Sequence, residues 1–265
     1  MNRVKRLLRS SGLRRSHLAA ARMCCERNVL ASFGVAQANP RARILCYHSV
    51  GTPQWGVNDV SPARFRQQIE LALRAGYRFV PAEHIAKGGG HPDELAVTFD
   101  DGLASVATNA APILAEYRIP WTLFVVSDWA DGRHNFGDGV MLDWNGVLRV
   151  AAAGATIGSH SVTHPDFGRL AVEDTGNELR ESRRIIQART GLTPATFAIP
   201  FGQSTNWSAD AVRQSREAGY EAVFAQSEQR RPEGTVARTF ITSFDNQRIF
   251  RAALGGSFDR WEEWL

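Results

Sequence analysis

Short, almost continuous apolar runs alternate along this chain with longer stretches whose apolar residues recur at helical spacing. The runs Arg43–Tyr47, Tyr77–Val80, Leu95–Phe99, Trp121–Val126, Ala155–Ser159, Thr196–Ile199, Tyr220–Ala225 and Val236–Thr242 read as buried strands. Between them lie predicted helices. One starts at Ser61-Pro62 and carries Phe65, Ile69, Leu71 and Leu73 to Gly76; a short one spans Pro81–Lys87; another runs from Val106 to Tyr117 before Pro120. Helices over Trp144–Ala153, Glu173–Thr190, Ser208–Glu217 and Arg248–Leu254 follow, three of them closed by Gly154, Gly191 and Gly219. Asp131–Gly139 is polar and glycine-rich and reads as a loop over one end of the fold. Regular alternation of strand and helix predicts a parallel α/β domain, either a barrel or an open doubly wound sheet. No glycine-rich phosphate fingerprint follows the first strand, which argues against the nucleotide-binding version.

Composition leaves that picture intact, but charge divides the chain. Its 265 residues suffice for one sizeable core, and a net charge of +4 conceals two unlike parts. Residues 1–43 hold ten basic side chains and one acid, Glu26, whereas the rest holds 21 basic and 26 acidic ones. A basic extension over residues 1–40 therefore precedes a mildly acidic body over 41–265. Val4, Leu7, Leu8 and Leu18 among the arginines suggest an amphipathic helix that meets an anionic membrane surface through residues 1–30, or else a solvated tail. No aromatic interleaving or groove-reading motif accompanies the charge, so nucleic acid is not expected as a partner. Arg9, Arg14, Arg15 and Arg22 interrupt any signal-peptide core, no run approaches the ~20 residues of a membrane span, and a cytoplasmic protein, peripheral at the inner membrane face, is expected. Cys24, Cys25 and Cys46 form no disulfide framework, and Cys46 reads as a small buried apolar residue.

Chemistry gathers where strands end. Asp100 and Asp101 follow the Leu95–Phe99 run, His160 and His164 follow Ala155–Ser159, and His48 follows Arg43–Tyr47. In a parallel α/β fold all these positions lie on the carboxyl edge of the sheet, where sites are built. Two adjacent carboxylates raise each other's pKa unless a cation separates their roles. Two histidines four apart, with one carboxylate, make a His2Asp set that leaves metal positions open, as catalytic sites do.

Thr98-Phe99-Asp100-Asp101-Gly102, together with the segment Gly158–Pro165 and the run Trp121–Val126, resembles the polysaccharide deacetylase family, the NodB-homology domain of carbohydrate esterase family 4. The resemblance runs through residues 41–265 and implies a single-domain, irregular (β/α)7-type barrel. It implies a metal-dependent hydrolase that removes N-acetyl groups from an amino-sugar glycan or glycolipid, with attack of a metal-bound water on the amide carbonyl. Asp101, His160 and His164 would hold the divalent ion, Zn²⁺ by default with Co²⁺ or Ni²⁺ as alternatives, and Asp100 would be the catalytic base. The backbone N–H of Phe201, within Pro200-Phe201-Gly202, would stabilise the oxyanion.

Two family features are absent from their usual places. Ala198 stands where many members carry the arginine that orients the base, so Arg238, in a late strand, is the candidate replacement. His164 is the last histidine of the chain, and Tyr47-His48-Ser49 resembles the branch that supplies the general acid from the N-terminal side, which makes His48 the candidate acid. Trp144 and Trp207 are candidates for stacking on sugar faces or for plain packing. A carbohydrate-binding member with weakened catalysis, or an O-acetyl esterase, is the alternative reading.

Overall fold

The apolar runs pair in parallel, as strands joined by helices must. The computed structural model describes residues 15–33, 41–226, 231–259 and 261. β1 (Arg43–Tyr47) leads into a small ladder of β2 (Ser49–Val50) and β3 (Asp59–Val60). β4 (Arg78–Phe79), β5 (Glu94–Phe99), β6 (Trp121–Val125), β7 (Ala155–Ser159), β8 (Thr196–Ala198), β9 (Ala222–Phe224) and β10 (Thr239–Phe240) follow. The main sheet runs β10-β1-β5-β6-β7-β8-β9, with β4 beside the start of β5. Val236 bridges to Phe224 of β9, while Thr239 and Phe240 of β10 pair with Leu45 and Cys46 of β1. One segment thus touches both edges of the sheet and curls it into the irregular barrel expected.

Successive strand residues point to opposite sides of such a sheet. Leu45, Tyr47, Val97, Phe99, Leu123 and Val125 join the main core beneath the helices, whereas Ile44, Ala96, Phe124, Ala198 and Phe224 fill the barrel interior. The helices are α1 (Arg15–Phe33), α2 (Pro62–Arg74), α3 (Ala82–Gly88), α4 (Ala111–Glu116), α5 (Ser127–Ala130), α6 (Trp144–Ala152), α7 (Val172–Thr190), α8 (Ala209–Glu217) and α9 (Gln247–Leu254). The helix expected over Val106–Tyr117 changes its winding: Val106–Ala110 is a π turn that runs without a break into α4 at Ala111, with Pro112 in the first turn of α4. Proline has no N–H to continue the ladder from the preceding turn.

Part of the segment before residue 41 packs on the barrel. Arg27 of α1 is fully buried. Its Nε donates to Asp245 Oδ1 at 2.5 Å, its Nη2 donates to Asp245 Oδ2 and to the Phe240 carbonyl, and its guanidinium lies 4.4 Å from the centre of the Phe258 ring. Leu30 and Ala31 pack against Ile249, Ala253 and Phe258. α1 is therefore built into the body beside α9 and β10. Val4, Leu7 and Leu8 of the expected amphipathic helix lie outside the described residues. No helix among the described residues is long and apolar enough to cross a membrane.

Candidate metal centre and active site

Among the described residues five non-glycine residues adopt left-handed backbone angles, and Asp101 (φ 73°), Ser161 (74°), His164 (61°) and Phe201 (64°) are four of them. Such conformations cost on the order of 1–3 kcal/mol each and persist where the surroundings over-determine them. All four follow strand ends. Asp100 and Asp101 leave β5, His160 leaves β7 with its N–H donated to the Val125 carbonyl at 2.9 Å, and Phe201 comes after β8.

Asp101, His160 and His164 offer donor atoms that all lie within 4.8 Å of one another. Both histidine Nε2 atoms lie 3.6 Å from Asp101 Oδ1. Nδ1 of His160 meets the Ala198 carbonyl at 2.8 Å, which fixes a proton on Nδ1 and turns the Nε2 lone pair towards Asp101. Asp101 Oδ2 accepts a bond from Trp55 Nε1 at 3.4 Å, but Oδ1 is buried without a partner. Burial pushes the Asp101 carboxyl up to about 6 and the His164 imidazole down to about 3. Two neutral imidazoles and an unsatisfied carboxylate oxygen converging on one point are a donor set suited to a divalent cation.

Asp100 lives differently one residue away. Arg238 Nη1 donates to its Oδ1 at 2.6 Å and Nη2 to its Oδ2 at 2.8 Å, both partners being buried. Arg238 is itself held by Thr98 Oγ1, the Ala225 carbonyl and the face of Phe124. Burial would raise the Asp100 pKa, yet the guanidinium, helped by His160 and His48, outweighs it and holds the carboxyl well below the usual range. His48 is buried beside this pair, with its ring edge-on to Phe240 and its Nδ1 without a partner. Burial lowers its pKa, and the charge of Asp100 opposes that only in part. The Cys46 thiol lies 3.5 Å from Asp100 Oδ2, and burial drives its pKa upward, so it stays a neutral thiol.

The polysaccharide deacetylase family model matches residues 87–223, more than half of the chain and including both Asp100-Asp101 and the two histidines. The chain belongs to the polysaccharide deacetylase family. A chitooligosaccharide deacetylase of Sinorhizobium fredii is 29% identical over 141 residues, which cover 52% of this chain and 60% of that relative. Among solved structures, a Streptococcus pyogenes deacetylase, PplD, in complex with acetate superposes with a TM-score of 0.66 at 20% identity, covering 77% of this chain and 94% of its own. IcaB from Ammonifex degensii gives 0.65 at 22% identity, covering 82% and 98%. At these identities the superpositions speak for the fold.

Around Asp101, His160 and His164 stands a collar of rings, of which Trp55, Trp129 and Phe136 were not singled out from the sequence. Trp129 stacks on His164 with centroids 5.1 Å apart, Phe201 meets His164 in a T-shaped contact at 4.7 Å, and Phe136 touches both Trp129 and Trp55. Their one sequence signal is position, in segments that follow β2, β6 and β8. Phe201 is 44% exposed, unusual for so large an apolar side chain. Gly202 (φ 70°) lets the turn fold against Gln226, whose Cγ would lie 2.6 Å from any Cβ placed there. The Pro200–Gly202 turn thus lies beside His164. Trp207 does not face the site: it is buried against Phe167 and Phe197, its faces used up in packing. Trp144 is partly buried against the main core and donates its Nε1–H to Asp131 at 2.7 Å.

Proposed function

We propose that this protein hydrolyses the N-acetyl groups of N-acetylglucosamine-containing glycans. One observation carries the reading: Asp101 Oδ1 is buried, unpaired and 3.6 Å from two histidine nitrogens, while its neighbour Asp100 is held apart by Arg238. Asp101, His160 and His164 would bind one divalent ion, Zn²⁺ or alternatively Co²⁺ or Ni²⁺, which supplies Lewis-acid polarisation and a more acidic water. The family membership and the chitooligosaccharide-active relative support the substrate class.

This chain's own groups divide the remaining work. Asp100, kept ionised by Arg238, accepts the proton of the attacking water. The N–H of Phe201, on a turn held out by its positive φ, donates to the oxygen that gains charge. His48, once it has taken up a proton, donates it to the departing nitrogen and returns to the neutral imidazole that its burial favours. Trp129, Phe136, Trp55 and Phe201 offer apolar faces to pyranose rings and keep bulk water away.

The test is acetate release from chitooligosaccharides by the full chain. Release should stop on chelation, return with added Zn²⁺, and disappear in Asp100→Asn. Turnover that is indifferent to both treatments would overturn the reading.

A further inference from the structure

His160 and His164 lie at the two ends of a loop with no helical or strand hydrogen bonding of its own, yet both rings have to meet Asp101. Ser161 and His164 hold left-handed backbones within it. A buried or half-buried loop must still satisfy its amides and carbonyls. On one side, the Ser161 and Val162 carbonyls accept the amides of Ser127 and Asp128 at 3.2 and 3.0 Å. On the other, the amides of Val162 and Thr163 both donate to Glu178 Oε2, at 2.7 and 3.1 Å, and the Thr163 hydroxyl donates to Oε1 at 2.7 Å.

Glu178 belongs to α7, and that helix is anchored to the strand that delivers His160. Ser182 Oγ of α7 bonds to Ser159 Oγ at 2.9 Å and to the Tyr220 hydroxyl at 3.0 Å. One carboxylate therefore ties the segment between the two histidines to a rigid element through three charge-assisted bonds, stronger than neutral ones. We infer that Glu178 is a positioning residue whose carboxylate fixes the His160–His164 loop in the shape that aims both imidazoles at the ion. The inference rests on the reading that Asp101, His160 and His164 bind a divalent metal.

Support of this kind behind metal ligands commonly changes affinity by about 10- to 100-fold. Metal-free full-length protein, prepared with a chelator, is titrated with Zn²⁺ in competition with a chromophoric chelator, and its thermal unfolding is followed in parallel. Glu178→Ala should bind Zn²⁺ about 10- to 100-fold more weakly while the metal-free protein still unfolds cooperatively. Glu178→Gln keeps one oxygen for the two amides and can turn its NH2 to the Thr163 hydroxyl, so it should bind Zn²⁺ closer to the unmodified protein than to the Ala variant. If Glu178→Ala does not fold, Glu178→Asp, one methylene short of the amides, takes its place with the same expected loss. Unchanged affinity in the shortened variant, or a Gln variant as weak as Ala, overturns the inference. An unmodified protein that binds none of Zn²⁺, Co²⁺ and Ni²⁺ overturns the metal reading instead.

Discussion

Asp100 and Asp101 are covalent neighbours, both buried, and their pKa values move in opposite directions because only one of them has a cation. Arg238 grips both oxygens of Asp100, whereas Asp101 has one oxygen on Trp55 and one on nothing. Asp100→Asn keeps the shape and removes the proton acceptor. Acetate release should fall by about 10²- to 10⁴-fold, the usual worth of a general base, with Zn²⁺ affinity unchanged; a variant that keeps full turnover would show that Asp100 is not the base. Arg238→Lys keeps the charge and loses the planar fork, and misplacing a reacting group by an ångström costs about 10²-fold. Its kcat should therefore drop by about that factor at an unaltered Zn²⁺ affinity. For His48→Ala, a loss of about 10²- to 10⁴-fold in kcat at saturating metal is expected, and intact turnover would reduce His48 to a residue that orders its loop. The carboxylate pair and the histidine pair were legible because each lies within five residues of sequence. Arg238 lies 138 residues from Asp100, and only its place in a late strand pointed to it.

At the scale of elements, the binary pattern located nearly every strand and helix, because period-two and helical spacing both report a buried face. It overran at β10, where apolar character spans Val236–Thr242 but only Thr239 and Phe240 pair as a strand, with Val236 turned to the opposite edge. α1 was expected only as part of a basic amphipathic extension, not as a helix packed on the body. Its buried side is carried by Met23, Arg27, Leu30 and Ala31, and a buried arginine reads in a sequence as solvated charge. The clamp it makes has an energetic consequence. Arg27→Ala leaves Asp245 buried without its cation, held by Thr242 alone, at a cost of about 3–5 kcal/mol. Arg22→Ala, at a surface pair with Glu26, should cost less than about 1 kcal/mol. Denaturant unfolding of the two variants checks this, and equal midpoints would show that α1 does not hold the barrel. Removal of residues 1–40 should accordingly lower stability as well as change the charge.

For the whole molecule, the alternation of strand and helix fixed a parallel α/β architecture, and the strand-end residues fixed which rim carries chemistry. It could not specify how the sheet closes, which depends on a short pairing between chain segments far apart in sequence. The β8–β9 side is held by a separate core of Phe167, Phe197, Trp207 and Tyr220, linked to α7 by the Tyr220 hydroxyl, which meets Ser182 Oγ at 3.0 Å and the Leu179 carbonyl at 3.1 Å. Burial pushes the Tyr220 phenol up to about 12 from 10.0. A group whose folded pKa is raised contributes stability below its unfolded pKa and loses it as pH climbs to the folded one. Between about pH 10 and 12, then, the unfolded chain sheds this proton while the folded chain cannot, and about 3 kcal/mol of stability drains away. Tyr47 is also buried and raised, so the decline should have two contributors, one on each side of the barrel. Denaturant midpoints measured across this range should fall less steeply for Tyr220→Phe than for the unmodified protein, although Phe begins lower for want of its hydroxyl bonds. Parallel declines would mean that the far side of the barrel opens before Tyr220 ionises, and that α7 is released before the core gives way.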